Sequence, residues 1–143
     1  MPHAPRLRDH ALRVICRSLM RDLRVLVVDD HPDTADALEM LLCAAGHEVR
    51  AACRGEEAIE VSRGFVPDVA LVDVRLPDIS GFIVAKRLRQ QHGRRVNLVA
   101  ITGGDISQVR LAGCFDQHAR KPVTAARVYQ LIDVARDAIK VVH

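Results

Sequence analysis

Apolar residues along this chain fall into short, nearly continuous runs separated by amphipathic stretches. Leu23 to Val28 is apolar except for Arg24 and ends in Asp29-Asp30. Val69 to Val72 ends in Asp73, and Val96 to Ile101 ends in Thr102. A shorter pair, Cys114-Phe115, leads towards Lys121-Pro122. Apolar runs of four to six residues bounded by polar ones read as strands of a parallel sheet covered on both faces. The stretches between them carry helical spacing. The pattern predicts strands over 23–28, 48–52, 68–73, 96–101 and 114–118. It predicts helices over 33–45, 55–63, 81–91, a short 105–112, and 124–140. Pro32 suits the first turn of the first helix and Gly46 its end. Leu38, Leu41, Leu42 and Ala45 are its expected inward face. Glu56 and Glu57 sit where the dipole of the second helix favours acids. In the last helix, Val128, Leu131, Ile132, Ala135 and Ile139 fall on one side. Five β-α alternations imply an α/β three-layer fold with right-handed crossovers.

With 143 residues, 49% of them apolar, the chain is long enough for one domain with an aliphatic core. Two segments are expected: a basic N-terminal extension over 1–22 and a folded body over 23–143. The extension carries five arginines and two aspartates, whereas basic and acidic residues balance in the body. The body therefore gives no electrostatic reason to expect nucleic acid as a partner. Leu7, Ala11, Val14, Ile15 and Leu19 recur at roughly helical spacing in the extension, and Met20 would also serve as a start. No run reaches the ~20 apolar residues of a membrane span. Cys16, Cys43, Cys53 and Cys114 are far apart without a CxxC, so reduced thiols in a cytoplasmic protein are expected.

The chemistry lies at the strand ends. Ligands of open parallel sheets bind outside the carboxyl ends of the strands. Asp29, Asp30, Asp73, Thr102 and Lys121 thus converge on one pocket. Carboxylates gathered so closely repel one another unless a cation intervenes, and hard divalent ions such as Mg2+ prefer oxygen ligands. With the acids neutralised, an aspartate can attack phosphorus and form an acyl phosphate. Lys121 would pair with the phosphoryl oxygens and the Thr102 hydroxyl would donate to one. Taken singly, each residue has a plainer explanation: turn chemistry for Asp29-Asp30, a helix cap for Asp33, a strand end for Thr102, a surface turn for Lys121-Pro122. Their order at successive strand ends is what selects the functional reading.

These stretches closely resemble the receiver domain of two-component response regulators. The matching residues are Val27-Val28-Asp29-Asp30, Leu71-Val72-Asp73-Val74-Arg75-Leu76-Pro77, Gly81, Ile101-Thr102-Gly103 and Lys121-Pro122-Val123, within a region of 23 to about 138. The resemblance implies a flavodoxin-like three-layer sandwich with a five-stranded parallel sheet of order 2-1-3-4-5. It implies Asp73 as phosphoacceptor, and Asp29, Asp30, Asp73 and the Arg75 backbone carbonyl as Mg2+ ligands. Thr102 becomes the switch hydroxyl, Lys121 the phosphate-pairing lysine, and Lys121-Pro122 a cis bond. His118 stands where the family carries its switch aromatic, a feature familiar among receivers related to hybrid sensor kinases. The Thr102 to Lys121 interval is about three residues shorter than the family's usual, which would remove about one turn of the fourth helix. Arg75 occupies a position that borders the phosphoryl group and influences its lifetime.

The function expected is a stand-alone phosphoacceptor receiver with no output domain. A sensor histidine kinase or histidine phosphotransfer protein would be its donor, and protein contact its output. It would contact neither nucleic acid nor membrane, and would be a monomer or weak homodimer. The alternative is a phosphorylation-independent receiver-like interaction module. An enzyme is not expected: there is no P-loop, no GxGxxG after the first strand, and Arg75 rather than a second aspartate two residues after Asp73.

Overall fold

A computed structural model of the chain describes residues 23–142, with side chains as far as residue 139. The extension over 1–22 and Cys16 lie outside the described residues. The order of elements is β1 (Arg24–Val28), α1 (Pro32–Ala44), β2 (Glu48–Ala52), α2 (Gly55–Gly64), β3 (Val69–Asp73) and α3 (Gly81–His92). A single 3-10 turn, Gly93–Arg95, precedes β4 (Asn97–Thr102), and α4 (Ile106–Ala112), β5 (Gln117–Arg120) and α5 (Ala125–Val142) complete the chain. The strands form one parallel sheet in the order β2-β1-β3-β4-β5. This is the predicted flavodoxin-like topology.

Strand alternation explains why the runs are apolar throughout. Val25 and Val27 of β1 pack with Leu71, Val99 and Ile101 beneath α1 and α5, against Ala35, Leu42, Val128 and Leu131. Leu26 and Val28 point the other way, with Ala70 and Val72, towards Ala58 of α2 and Val84, Ala85 and Leu88 of α3. Each central strand thus buries both faces, and between its first residue and its carboxyl end every position is apolar. In α5 all five expected inward residues are buried. In α1 the inward residues are Ala35 and Leu42, flanked by half-buried Leu38 and Leu41, whereas Ala45 lies at the exposed helix end. Gly46 takes φ +97° and turns the chain out of α1, a conformation that favours glycine.

One strand lies later than expected. Pairing of β5 with β4 begins at Gln117, opposite Val99, rather than at residue 114. The Asp116 carboxylate accepts the Leu98 amide at 2.8 Å and an Arg89 guanidinium hydrogen at 2.6 Å, and so fixes the lead-in. Cys114 and Phe115 pack instead on the α2–α3 side of the core, with the Phe115 ring edge-on to Phe82. Of β5 only Ala119 is buried, so this edge strand has little apolar signal.

Candidate functional site at the carboxyl ends of the strands

Strand order brings the ends of β1, β3, β4 and β5 side by side, and each contributes one polar group. Asp73 is the last residue of β3 and is 5% exposed; Asp29 follows β1 and is 2% exposed. The Lys121 ammonium lies between them, donating to Asp73 Oδ2 at 2.8 Å and standing 3.2 Å from Asp29 Oδ2. Backbone pairing positions that lysine: its amide donates to the Thr102 carbonyl at 2.9 Å, one step beyond β5. The Lys121–Pro122 bond is cis. Burial works against the Lys121 charge, but the hydrogen bonds and charges of Asp73 and Asp29 outweigh it, and the ammonium titrates above the usual lysine value.

The other oxygens of both acids are held by local turns. Asp73 Oδ1 accepts the Arg75 amide at 3.0 Å, and Asp29 Oδ1 accepts the His31 amide at 2.9 Å. Thr102 is buried, and its Oγ1 accepts the Gly104 amide at 3.0 Å. That bond uses a lone pair and leaves the hydroxyl hydrogen free to donate into the pocket. Asp30 is one-third exposed at the mouth. Arg75 joins the site through its amide, and its guanidinium reaches across to the β4–α4 loop. A Cβ on Gly104 would stand 3.9 Å from Arg75 Nη2 and 3.7 Å from Thr102 Oγ1. His118 is half-buried on β5, opposite Ala100 and on the strand face away from Ala119. It is not among the groups around Lys121.

The loop 74–80 that leaves Asp73 is fixed at both ends. At Gly81 the start of α3 lies so close to β3 that a Cβ would collide with the Asp73 carbonyl oxygen and lie 2.8 Å from Val74 Cα. Only glycine permits that approach. Asp78 caps α2, its two oxygens accepting the Gly55 and Glu56 amides at 2.8 and 2.9 Å. These amide hydrogen bonds, led by that from Glu56, outweigh burial and lower the Asp78 carboxyl to about 2.

Two members of the neighbourhood were not legible as site residues. His31 brings Nδ1 to 3.1 Å from Asp30 Oδ1, and Asp29, Asp30, His31 and Asp73 each place a donor atom within 4.8 Å of the others. Its adjacency to Asp29-Asp30 was the available signal. Beside the acids, an apolar groove of about 700 Å³ runs between α1 and the β5–α5 loop, lined in part by Ala37, Leu38, Leu41, Val123 and by Lys121 itself. Three carboxylates against one ammonium leave an excess of negative charge, a donor set suited to a divalent cation.

Comparison with known proteins gives the family of the chain. The sequence profile of the response regulator receiver domain matches residues 25–133. The chain is 32% identical over 127 residues to the sensory/regulatory protein RpfC of Xanthomonas campestris, covering 85% of this chain and 17% of RpfC. It therefore spans about a sixth of that protein's length. It is 30% identical over 113 residues to the polar-differentiation response regulator DivK of Brucella ovis, covering 76% of this chain and 91% of DivK. A CheY-like receiver domain protein from Methanospirillum hungatei superposes with a TM-score of 0.79 at 23% identity, over 85% of this chain and 99% of its own. Such domains are in general signalling modules rather than enzymes. The chain belongs to the response regulator receiver family of two-component systems.

Proposed function

We propose that residues 23–143 form a phosphoacceptor receiver of a two-component system or phosphorelay, and that residues 1–22 are an extension of it. A sensor histidine kinase or histidine phosphotransfer protein donates a phosphoryl group to Asp73. The observation that carries this reading is the buried Asp73 carboxylate paired at 2.8 Å with Lys121 and flanked by Asp29 and Asp30. A carboxylate oxygen of Asp73 attacks phosphorus, the phosphorus–nitrogen bond of the donor breaks, and its electron pair stays on the donor imidazole. Asp29, Asp30 and Asp73, together with the Arg75 carbonyl, are the residues that would hold Mg2+. An ion held by these residues would supply charge neutralisation to the carboxylates and the phosphoryl oxygens.

The chain's own groups do the positioning. Once Asp73 carries the phosphoryl group, Lys121 exchanges a carboxylate partner for phosphoryl oxygens. The Thr102 hydroxyl, already fixed by Gly104, donates to another. Thr102 and His118 are the moving parts that carry the change to α4 and β5. The Arg75 guanidinium stands at the mouth, where it tunes access of water. The apolar groove shares Lys121 with the site and gives a histidine-bearing donor protein a footing beside Asp73. Output is protein contact by a monomer or weak homodimer, in the cytoplasm, without nucleic acid or membrane. Among the described residues no helix is long and apolar enough to cross a membrane.

The test is incubation of the protein with acetyl phosphate, with Mg2+ or with EDTA, read by intact mass. A Mg2+-dependent gain of one phosphoryl group is expected. No gain by folded protein would overturn the reading and favour an interaction module that works without phosphorylation.

A further inference from the structure

Asp29-Asp30-His31 leaves β1 in a tight turn closed by the His31 amide on Asp29 Oδ1. The turn holds the His31 ring over the acids although its side chain is 68% exposed and open to solvent. Nδ1 lies 3.1 Å from Asp30 Oδ1 and 3.3 Å from Asp29 Oδ1. Two metal bonds of about 2.1 Å at right angles put their donor atoms about 3.0 Å apart. The imidazole nitrogen is therefore spaced from each carboxylate oxygen as a neighbouring ligand of one octahedral ion would be, and Asp73 lies within the same 4.8 Å set.

We propose that His31 Nδ1 is a further protein ligand at this site, beside the three carboxylates and the Arg75 carbonyl. The inference rests on the receiver reading for the presence of an ion, and adds a ligand and a selectivity. Mg2+ is hard, holds its waters and prefers oxygen. Imidazole is a ligand for first-row transition ions. A nitrogen beside three carboxylates shifts the site towards ions such as Mn2+ relative to the carboxylates alone.

The experiment is pulsed electron paramagnetic resonance of Mn2+ bound to the full chain, with calorimetric titration of Mn2+ and Mg2+. Wild type, His31→Ala and Asp30→Asn are compared. The expected result is nitrogen-14 modulation of the Mn2+ signal in wild type and its loss in His31→Ala. In His31→Ala Mn2+ affinity falls about fivefold or more, and Mg2+ affinity changes less than about twofold. Asp30→Asn weakens both ions, which places them at this site. Bound Mn2+ without nitrogen modulation, or modulation that survives in His31→Ala, would overturn the inference and leave the receiver reading intact. In that case the ring is only a hydrogen-bond donor to the acids. Failure of wild type to bind either ion would instead count against the receiver reading itself.

Discussion

In the absence of a divalent cation, Asp73→Asn is expected to make the protein more stable. Donor atoms of Asp29 and Asp30 lie within 4.8 Å of one on Asp73. At an effective dielectric of about 20, each costs at least about 3.5 kcal/mol in repulsion. Lys121 at 2.8 Å offsets about 6 kcal/mol of this on the same scale. The balance is about 1 kcal/mol against the Asp73 charge, before the cost of burying a carboxylate that is only 5% exposed. Asparagine keeps an acceptor for the Arg75 amide and removes the charge. A gain of about 1–2 kcal/mol in EDTA follows, about 4 °C in melting temperature per kcal/mol for a domain of this size. Thermal and urea unfolding followed by circular dichroism measure it. Mg2+ at a hundred times its dissociation constant adds about 2.7 kcal/mol to wild type. It adds less to a variant lacking one ligand, so the variant's advantage shrinks or reverses. A variant no more stable than wild type in EDTA would refute the argument that the acids are held together against their repulsion.

Gly81→Ala is expected to lose about 2–3 kcal/mol of stability in urea unfolding, because its Cβ meets backbone at Asp73 and Val74 that cannot move without displacing the end of β3. Asp78→Asn tests the charge on the side-chain cap that the β3–α3 loop places on α2. The folded carboxyl titrates near 2, below its usual 3.8, so its contribution is full above the unfolded value and is lost as pH falls towards 2. The stability gap between wild type and Asp78→Asn, a few tenths of a kcal/mol for so exposed a group, is expected at pH 6 and should close by pH 2. A gap that widened on acidification would contradict this. Arg75→Ala is expected to change the rate at which phosphorylated protein loses its phosphoryl group several-fold, followed by intact mass over time; an unchanged rate would show that the guanidinium has no part in it.

The parts of this molecule that were legible in the sequence are those where local pattern and global role coincide. β1, β3 and β4 are buried on both faces, so their apolar runs mark them, and the first polar residue after each run marks the site. Asp29, Asp73, Thr102 and Lys121 could be placed together before any coordinates because strand order alone makes them neighbours. β5 was misplaced because an edge strand with the sequence Gln117-His118-Ala119-Arg120 owes its position to Asp116 and the Leu98 amide rather than to apolar residues. The capping of α2 by Asp78 joins residues 22 and 23 apart, and no local rule connects them. Ala45 was expected on the inward face of α1 because its spacing fits, but the helix ends at Ala44 and the chain turns away at Gly46. His31 needed the turn geometry at Asp29 to show that its ring lies over the acids. The extension over 1–22 lies outside the described residues.

The central claim is that Asp73 is the residue phosphorylated, and site mapping tests it most directly. Protein treated with acetyl phosphate and Mg2+ is reduced with borohydride, which converts an aspartyl phosphate to homoserine, then digested and sequenced by mass spectrometry. The account predicts homoserine at position 73 and nowhere else, with none formed in EDTA. Homoserine at 29 or 30, or phosphorylation that persists in Asp73→Asn at the wild-type level, would contradict it.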